Sequence, residues 1–389
     1  MKDILRRTWA EISLDNTAYN YGAIRKMLAP GCRFMGVVKA DAYGHGAVQI
    51  SKLLEELGAD YLAVSNIEEA MQLRYASIRL PILILGYTPV ECLEDLLDYD
   101  ITQTIYETET GEAFSRAAEQ LGKRLRVHIK ADTGMSRLGL VCDEGSLDGA
   151  AWEAAHIAKL PGLLPEGLFT HFAASDDENE EDYTRLQFDR FVRLRDMLRE
   201  KYAVTFSICH CANSGAVLHY PWTHLDMARP GILLYGVSPC EKAGCGAGLR
   251  PVMTLKTVVS EIKELPGGIT VSYGRTFRTE KKSRIAVMSA GYADGLPRSL
   301  SNQYDVLLRG KPARIRGRVC MDMTMLDVTD IPEARPGDEV EIFGEHLPVS
   351  RAAELSGTIA YELLCGISKR VPRLFFREGE RCAVLPARA

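Results

Sequence analysis

Two hydrophobic periods alternate along the first 240 residues. Short apolar runs read as buried strands at residues 34–38, 61–65, 81–85, 101–105, 125–129, 167–170 and 206–211, with an eighth at 225–227 or 232–235. Segments of helical spacing separate most of them, at 48–57, 67–75, 90–97, 111–121, 146–159 and 182–201, and a further helix opens the chain at 16–28. The clearest is the helix at 182–201, with Phe188, Phe191, Leu194 and Leu198 on one face. Strand–helix repeats in this length predict an α/β fold, a (β/α)8 TIM-type barrel. A doubly wound open sheet competes with it, because alternation alone does not close a barrel.

Beyond residue 240 the texture changes to short alternating strands at 253–259, 284–288, 306–308, 314–319 and 339–343. Turn signals such as Pro266-Gly267-Gly268, Arg309-Gly310 and Pro336-Gly337-Asp338 separate them. Short helices are expected near 350–355 and 361–368. The expected division is therefore a barrel over residues 1–240 and a mostly β domain over 241–389. Gly244-Cys245-Gly246-Ala247-Gly248 falls between the two. No strand precedes it and Pro251 follows, so it fails the context test for a dinucleotide loop and reads as a connection.

Composition narrows the classes. The chain has 389 residues, 46% of them hydrophobic and 25% charged, enough for a large core without disulfide staples. A formal charge of -5 argues against a general nucleic-acid binder. Residues 1–7 are charged and lack the apolar centre of a signal peptide, and the longest run free of Asp, Glu, Lys and Arg, 202–225, holds three histidines. A cytoplasmic protein with reduced thiols and no membrane partner is expected. Ten cysteines are scattered without paired metal spacing. Cys209-His210-Cys211 is the nearest approach, but in a strand His210 points away from both cysteines, so no metal site is expected. The acidic run 176–182 reads as a solvated loop and helix start.

In a βα barrel, chemistry gathers at the C-terminal ends of the strands. Lys39 and Tyr43 follow the first strand, in Val38-Lys39-Ala40-Asp41-Ala42-Tyr43-Gly44-His45-Gly46. Lys130, Asp132 and Arg137 follow the fifth, His171 ends the sixth, and Asn213-Ser214-Gly215 follows the seventh. Arg229-Pro230-Gly231-Ile232 lies in the eighth unit. Loops after the last two strands often bind phosphate through main-chain N–H groups, a task suited to Ser214 and Gly231. Lysine forms Schiff bases with carbonyl compounds. A phosphorylated ligand beside a lysine is the reading this arrangement favours.

These motifs resemble the alanine racemase family, fold-type III enzymes that depend on pyridoxal 5′-phosphate. The segment 38–46 is similar to the family's cofactor-lysine signature. Further family motifs follow in order at 130–139, 271–274, 291–295, 319–322 and 370–373. The resemblance implies an N-terminal barrel, a C-terminal β domain and a homodimer with shared active sites that interconverts L- and D-alanine, supplying D-alanine for peptidoglycan. It implies that Lys39 carries the cofactor and handles the proton of the D-isomer, and that Tyr273 of the other subunit handles that of the L-isomer. Tyr43, Ser214, Gly231, Ile232 and Tyr361 match positions around the phosphate. Arg229 matches the partner of the pyridine nitrogen. Arg137 and Met321 match substrate-carboxylate positions. His171 matches a link from the tyrosine to that arginine, and Lys130 a lysine that is carbamylated in many relatives. A serine or broad-specificity racemase, a decarboxylase on the same fold and a non-catalytic cofactor-binding barrel are the competing readings.

Overall fold

The computed structural model describes residues 7–240 and 248–387. In chain order the first half contains β1 (Thr8–Ser13), α1 (Leu14–Met27), β2 (Arg33–Val37), α2 (Lys39–Tyr43), α3 (Ala47–Glu56), β3 (Tyr61–Val64), α4 (Ile67–Tyr75), β4 (Ile82–Ile84), α5 (Leu93–Asp98), β5 (Ile101–Ile105), α6 (Thr108–Gln120) and β6 (Leu125–Asp132). It continues through β7 (Leu140–Val141), α7 (Leu147–Ala158), β8 (Leu163–Phe169), α8 (Glu181–Tyr202), β9 (Ile208–His210), α9 (Ser214–His219) and β10 (Met227–Ala228). Parallel pairing runs β10-β2-β3-β4-β5-β6-β8-β9. Between the two ends of that order, Asp226 N–H donates to Cys209 C=O at 3.1 Å and Arg229 N–H to Ala212 C=O at 2.9 Å, so the sheet nearly closes on itself.

Closure answers the choice between barrel and open sheet. Strands buried on both faces need near-continuous apolar runs, and β3 and β5 are buried at every position. Polar residues inside β5 have local partners: Gln103 accepts from Thr88 Oγ1 at 2.7 Å, and Thr104 Oγ1 donates to Ile84 C=O at 2.6 Å. On α8, Phe191, Leu194 and Leu198 are fully buried, while Phe188 is half-buried and packs edge-on against Trp222. The eighth strand is Met227–Ala228, and residues 232–235, the other candidate, form a 3₁₀ turn.

The second half contains β11 (Met253–Leu265), β12 (Thr270–Val271), β13 (Phe277–Arg278), β14 (Ser283–Met288), β15 (Asp305–Leu308), β16 (Lys311–Ile315), β17 (Thr324–Asp327), β18 (Glu339–Phe343), α10 (Val349–Ser356), α11 (Ala360–Cys365), β19 (Arg373–Arg377) and β20 (Glu380–Leu385). Its main sheet runs β14-β17-β16-β15-β18-β11-β1-β19-β20. The chain therefore starts in the sheet of its C-terminal half. β1 pairs antiparallel with β11 and parallel with β19 before α1 enters the barrel. The predicted strand at 314–319 lies instead at Lys311–Ile315, because Gly317 takes a positive φ and ends the extended backbone. Residues 244–247 of the glycine-rich connection lie outside the described residues. Next to it, Cys240 is disulfide-bonded, which departs from the reduced thiols expected throughout. Among the described residues no helix is long and apolar enough to cross a membrane.

Candidate functional site

Lys39 stands where β2 ends, and the chain then does something rare. Ala40, Asp41, Ala42 and Tyr43 all take left-handed angles, with φ between 52° and 55°. Each such non-glycine residue costs roughly 1–2 kcal/mol, so the turn holds on the order of 4–8 kcal/mol of strain. Surrounding bonds hold it. Ala42 N–H donates to Val38 C=O at 2.8 Å and Gly44 N–H to Ala40 C=O at 2.9 Å. His45 Nδ1 lies 2.9 Å from the carbonyls of both Ala42 and Tyr43, so it must carry the proton there. The His45 ring stacks on Tyr235, whose hydroxyl donates to Val37 C=O at 2.9 Å. Arg373 Nε donates to Gly44 C=O at 3.0 Å, which ties the turn to the C-terminal half. A side chain at Gly44 would strike the Leu364 carbonyl, and φ is +80° there, so glycine is needed twice over.

Lys39 and its neighbours form a strongly cationic mouth. Burial and then the Arg137 charge lower the Lys39 pKa, with Arg229 adding to the effect. Lys130 is buried beneath them, and burial, Arg137 and Arg229 pull its pKa down to about 8. The acid nearest in sequence has other work. Asp132 Oδ1 accepts from the main-chain N–H groups of Gly134, Met135 and Ser136 at 2.9–3.0 Å, and Oδ2 from Arg137 N–H at 3.1 Å. These bonds fix the loop that carries Arg137.

Arg229 is buried and orders a chain of rings. Desolvation lowers its pKa to about 10, so it stays charged near neutrality. Nη1 lies 2.9 Å from His210 Nδ1 and Nη2 3.2 Å from His171 Nδ1. Arginine can only donate, so both nitrogens must accept and both histidines carry their proton on Nε2. Burial and the Arg229 charge hold both histidines well below their usual pKa, and so neutral. His210 Nε2–H then donates to His128 Nδ1 at 2.9 Å, and His128 Nε2–H to Glu166 Oε2 at 3.2 Å. Tyr61 donates to the same Glu166 oxygen at 2.6 Å. Burial alone would raise the Glu166 pKa. The hydrogen bonds from His128 and Tyr61 outweigh it and bring the carboxyl to about 2. The fixed polarity of this string runs through the barrel interior from Arg229 to a carboxylate. His171 Nε2–H is left as a donor at the opposite end.

A cradle forms where α9 begins. Ser214 Oγ accepts from Gly231 N–H at 2.9 Å at the start of α9, where Asn213 caps Ala216 N–H. A methyl group on Gly231 would meet the Tyr43 hydroxyl at 2.6 Å. Ile232 is fully buried just behind it. The Tyr43 ring packs between Tyr235 and Tyr361, with centroids 5.0 and 6.0 Å away. Burial raises the pKa of Tyr43 and Tyr361, which keeps both as neutral hydroxyl donors.

Tyr273 and Met321 are presented differently. Tyr273 is 70% exposed at the tip of the β12–β13 hairpin, and Met321 is 52% exposed. Both loops are tightly built. Ser272 Oγ donates to Arg318 C=O at 2.6 Å, and the carbonyls of Cys320 and Met321 accept from Tyr292 and Ala293 N–H at 3.0 Å. Asp294, 1% exposed, accepts from Arg370 Nε at 2.9 Å and also pairs with Arg7.

Residue patterns alone missed Glu69, His128, Glu166 and Tyr61. Asn66-Ile67-Glu68-Glu69 has the spacing of a capping box, which was the one usable signal for Glu69. The other three are brought together only by barrel closure.

Fold and mouth together define a two-domain barrel enzyme with a lysine at the end of its first barrel strand. Residues 12–239 match the family model for the alanine racemase N-terminal domain, and residues 252–375 the model for the C-terminal domain. The chain is 45% identical over 386 residues to alanine racemase 2 of Caldanaerobacter subterraneus, covering 98% of this chain and 97% of that one. It is 45% identical over 381 residues to alanine racemase 1 of Clostridium acetobutylicum, covering 97% of each. The solved alanine racemase of Clostridium difficile superposes with a TM-score of 0.92 at 40% identity, over 99% of this chain and 100% of that one. The chain belongs to the alanine racemase family.

Proposed function

We propose that this chain is a cytoplasmic alanine racemase that uses pyridoxal 5′-phosphate and works as a homodimer. The observation that carries the reading is the mouth itself. A half-buried lysine with a lowered pKa shares the barrel mouth with Arg137 and Arg229, Gly231 packs so close to Tyr43 that a side chain there would not fit, and the local acid, Asp132, is occupied by main-chain amides. That donor set suits a phosphorylated aldehyde. Lys39 would hold the aldehyde carbon covalently, Ser214, Gly231, Ile232, Tyr43 and Tyr361 the phosphate, and Arg229 the ring nitrogen. When bound, the cofactor supplies an electron sink that lowers the cost of removing the α-proton of an amino acid.

The chain's own groups then divide the proton work. Racemisation needs a base on each face of the α-carbon. Lys39 Nζ serves one face, where it moves the proton of D-alanine. Tyr273 Oη of a second copy serves the other, which accounts for a catalytic tyrosine exposed on a lone chain. His171 Nε2–H, fixed as a donor by Arg229, would stabilise that tyrosine as phenolate. Arg137 and the Met321 main chain of the second copy would hold the substrate carboxylate. The test is L-alanine and L-serine in deuterated water with chiral product analysis. Deuterated D-alanine is expected, formed faster than D-serine. Absence of α-exchange in both sinks the reading, and a preference for serine replaces it with the serine-racemase alternative.

Lys130 carries a second expected outcome. With a pKa of about 8, roughly a tenth of its amine is neutral at pH 7 and can add carbon dioxide, releasing a proton to leave a carbamate. The carbamate would turn a cation facing Arg137 into its anionic partner. Protein equilibrated with ¹³C-bicarbonate should show a carbamate carbon resonance that Lys130→Arg abolishes. A plain ammonium in both would refute it. Without the carbamate, the folded amine holds its proton less firmly than the unfolded one. Stability of the decarboxylated protein should then rise as pH increases from about 8 toward the unfolded lysine value.

A further inference from the structure

The left-handed turn after Lys39 is held from outside by one carboxylate that no expectation above includes. Glu69 lies in the first turn of α4, on the neighbouring βα unit. Its Oε1 accepts from Ala40 N–H at 2.7 Å and its Oε2 from Ser65 N–H at 2.8 Å. Ala40 is the first residue of the left-handed run, and Ser65 follows directly on β3. Asn66 Oδ1 accepts from Glu69 N–H at 3.0 Å, so the helix start that carries the carboxylate is itself capped. One side chain thus ties together the ends of two adjacent barrel strands. It does so at the amide next to the lysine.

Other features of the turn do not replace this bond. His45, Arg373 and Asp41 hold its later residues: Asp41 Oδ1 accepts from Ala47 N–H at 2.8 Å, Arg373 reaches Gly44, and His45 reaches Ala42 and Tyr43. The Ala40 amide joins Lys39 to the first left-handed residue, where the chain changes hand. A carboxylate is suited to that place because it accepts in two directions at once. The negative charge also faces Lys39 itself and opposes Arg137 there.

We propose that Glu69 is a positioning residue for Lys39: its carboxylate, bridging the Ala40 and Ser65 amides, locks the left-handed turn and so aims the lysine into the barrel mouth. The proposal rests on the reading of Lys39 as the cofactor lysine. Glu69→Gln is the informative variant, because it nearly preserves shape while placing an NH₂ group, which cannot accept, opposite one of the two amides. Glu69→Asp keeps the charge but is one methylene too short to reach both.

The test uses full-length protein. Hydrogen exchange without cofactor reads the turn, and the visible circular-dichroism band of the loaded protein reads how the lysine presents the cofactor. In Glu69→Gln, exchange across residues 39–46 should rise about tenfold while the barrel core keeps its protection. The dichroic band should change in amplitude, and kcat should fall about ten- to a hundredfold in both directions with KM within about twofold. Glu69→Asp should share these effects in part, and Glu68→Gln, one residue away on the same helix, should show none. Parent-like exchange in Glu69→Gln overturns the proposal, as does faster exchange with an unchanged band and kcat. Parent-like behaviour of Glu69→Asp, or an equal effect from Glu68→Gln, shows that helix-start charge alone suffices and overturns it too. Failure of the underlying site reading has a separate signature: no cofactor-modified peptide containing Lys39 in the parent protein.

Discussion

Lys39→Ala should lower turnover of both alanine isomers by on the order of 10⁴ or more, because in the proposed function one side chain both anchors the cofactor and moves a proton. The chemistry requires a neutral amine that can add to a carbonyl and later accept a proton. The fold supplies the means: partial burial and the Arg137 and Arg229 charges lower the lysine's pKa. Lys39→Arg separates charge from nucleophile. It keeps a cation in the mouth but cannot form the covalent link, so it should be as inactive as the alanine variant. Both variants should still hold the cofactor through the Ser214–Gly231 cradle, more weakly, and lose it on gel filtration. More than a tenth of parental turnover in either would remove Lys39 from the catalytic role.

Much of this architecture was legible in the sequence, for reasons that differ by element. Parallel strands buried on both faces must be continuously apolar, so β3 and β5 announced themselves. α8 did so through the period of its apolar face. β1 did not. Its residues Thr8–Ser13 precede the barrel in sequence, yet their partners, β11 and β19, lie some 240 and 360 residues further on. The site divides along the same line. Lys39, Arg137, His171 and Arg229 follow strand ends, where a barrel concentrates chemistry, so position in the pattern pointed to them. Lys130 was expected just past a strand ending at 129 and lies instead within β6, which runs on to Asp132. The string from Arg229 through His210 and His128 to Glu166 lies inside the barrel. His128, Glu166 and His210 sit on β6, β8 and β9, and Arg229 directly follows β10; they meet only because the barrel brings those strands together. Alternation along β9 predicted that His210 would point away from its flanking cysteines. It could not say that the ring would accept a hydrogen bond from an arginine. The left-handed turn was invisible for a different reason: Ala40, Asp41, Ala42 and Tyr43 have no intrinsic preference for it, and only the surrounding bonds impose it.

Tyr273→Phe should lower turnover of L-alanine about a thousandfold while leaving cofactor binding intact, because it removes the oxygen proposed to act as acid–base group on one face of the α-carbon only. The tyrosine's exposure makes a sharper test possible. Tyr273 is 70% exposed on its own chain, and in the proposed homodimer a second copy would bring it to a barrel mouth. In a two-fold dimer each site then takes Lys39 from one chain and Tyr273 from the other. Lys39→Ala and Tyr273→Phe dimers should each be nearly inactive. Mixed under conditions that exchange subunits, they should form hybrids in which one site carries both lesions and the other carries none. Random exchange makes half the dimers hybrid, so activity should return to roughly a quarter of the parent's. Recovery on mixing cannot arise if lysine and tyrosine of one site come from the same chain, because every such site would keep its lesion. A mixture that stays inactive after proven subunit exchange would therefore place both bases on a single chain and refute the shared site.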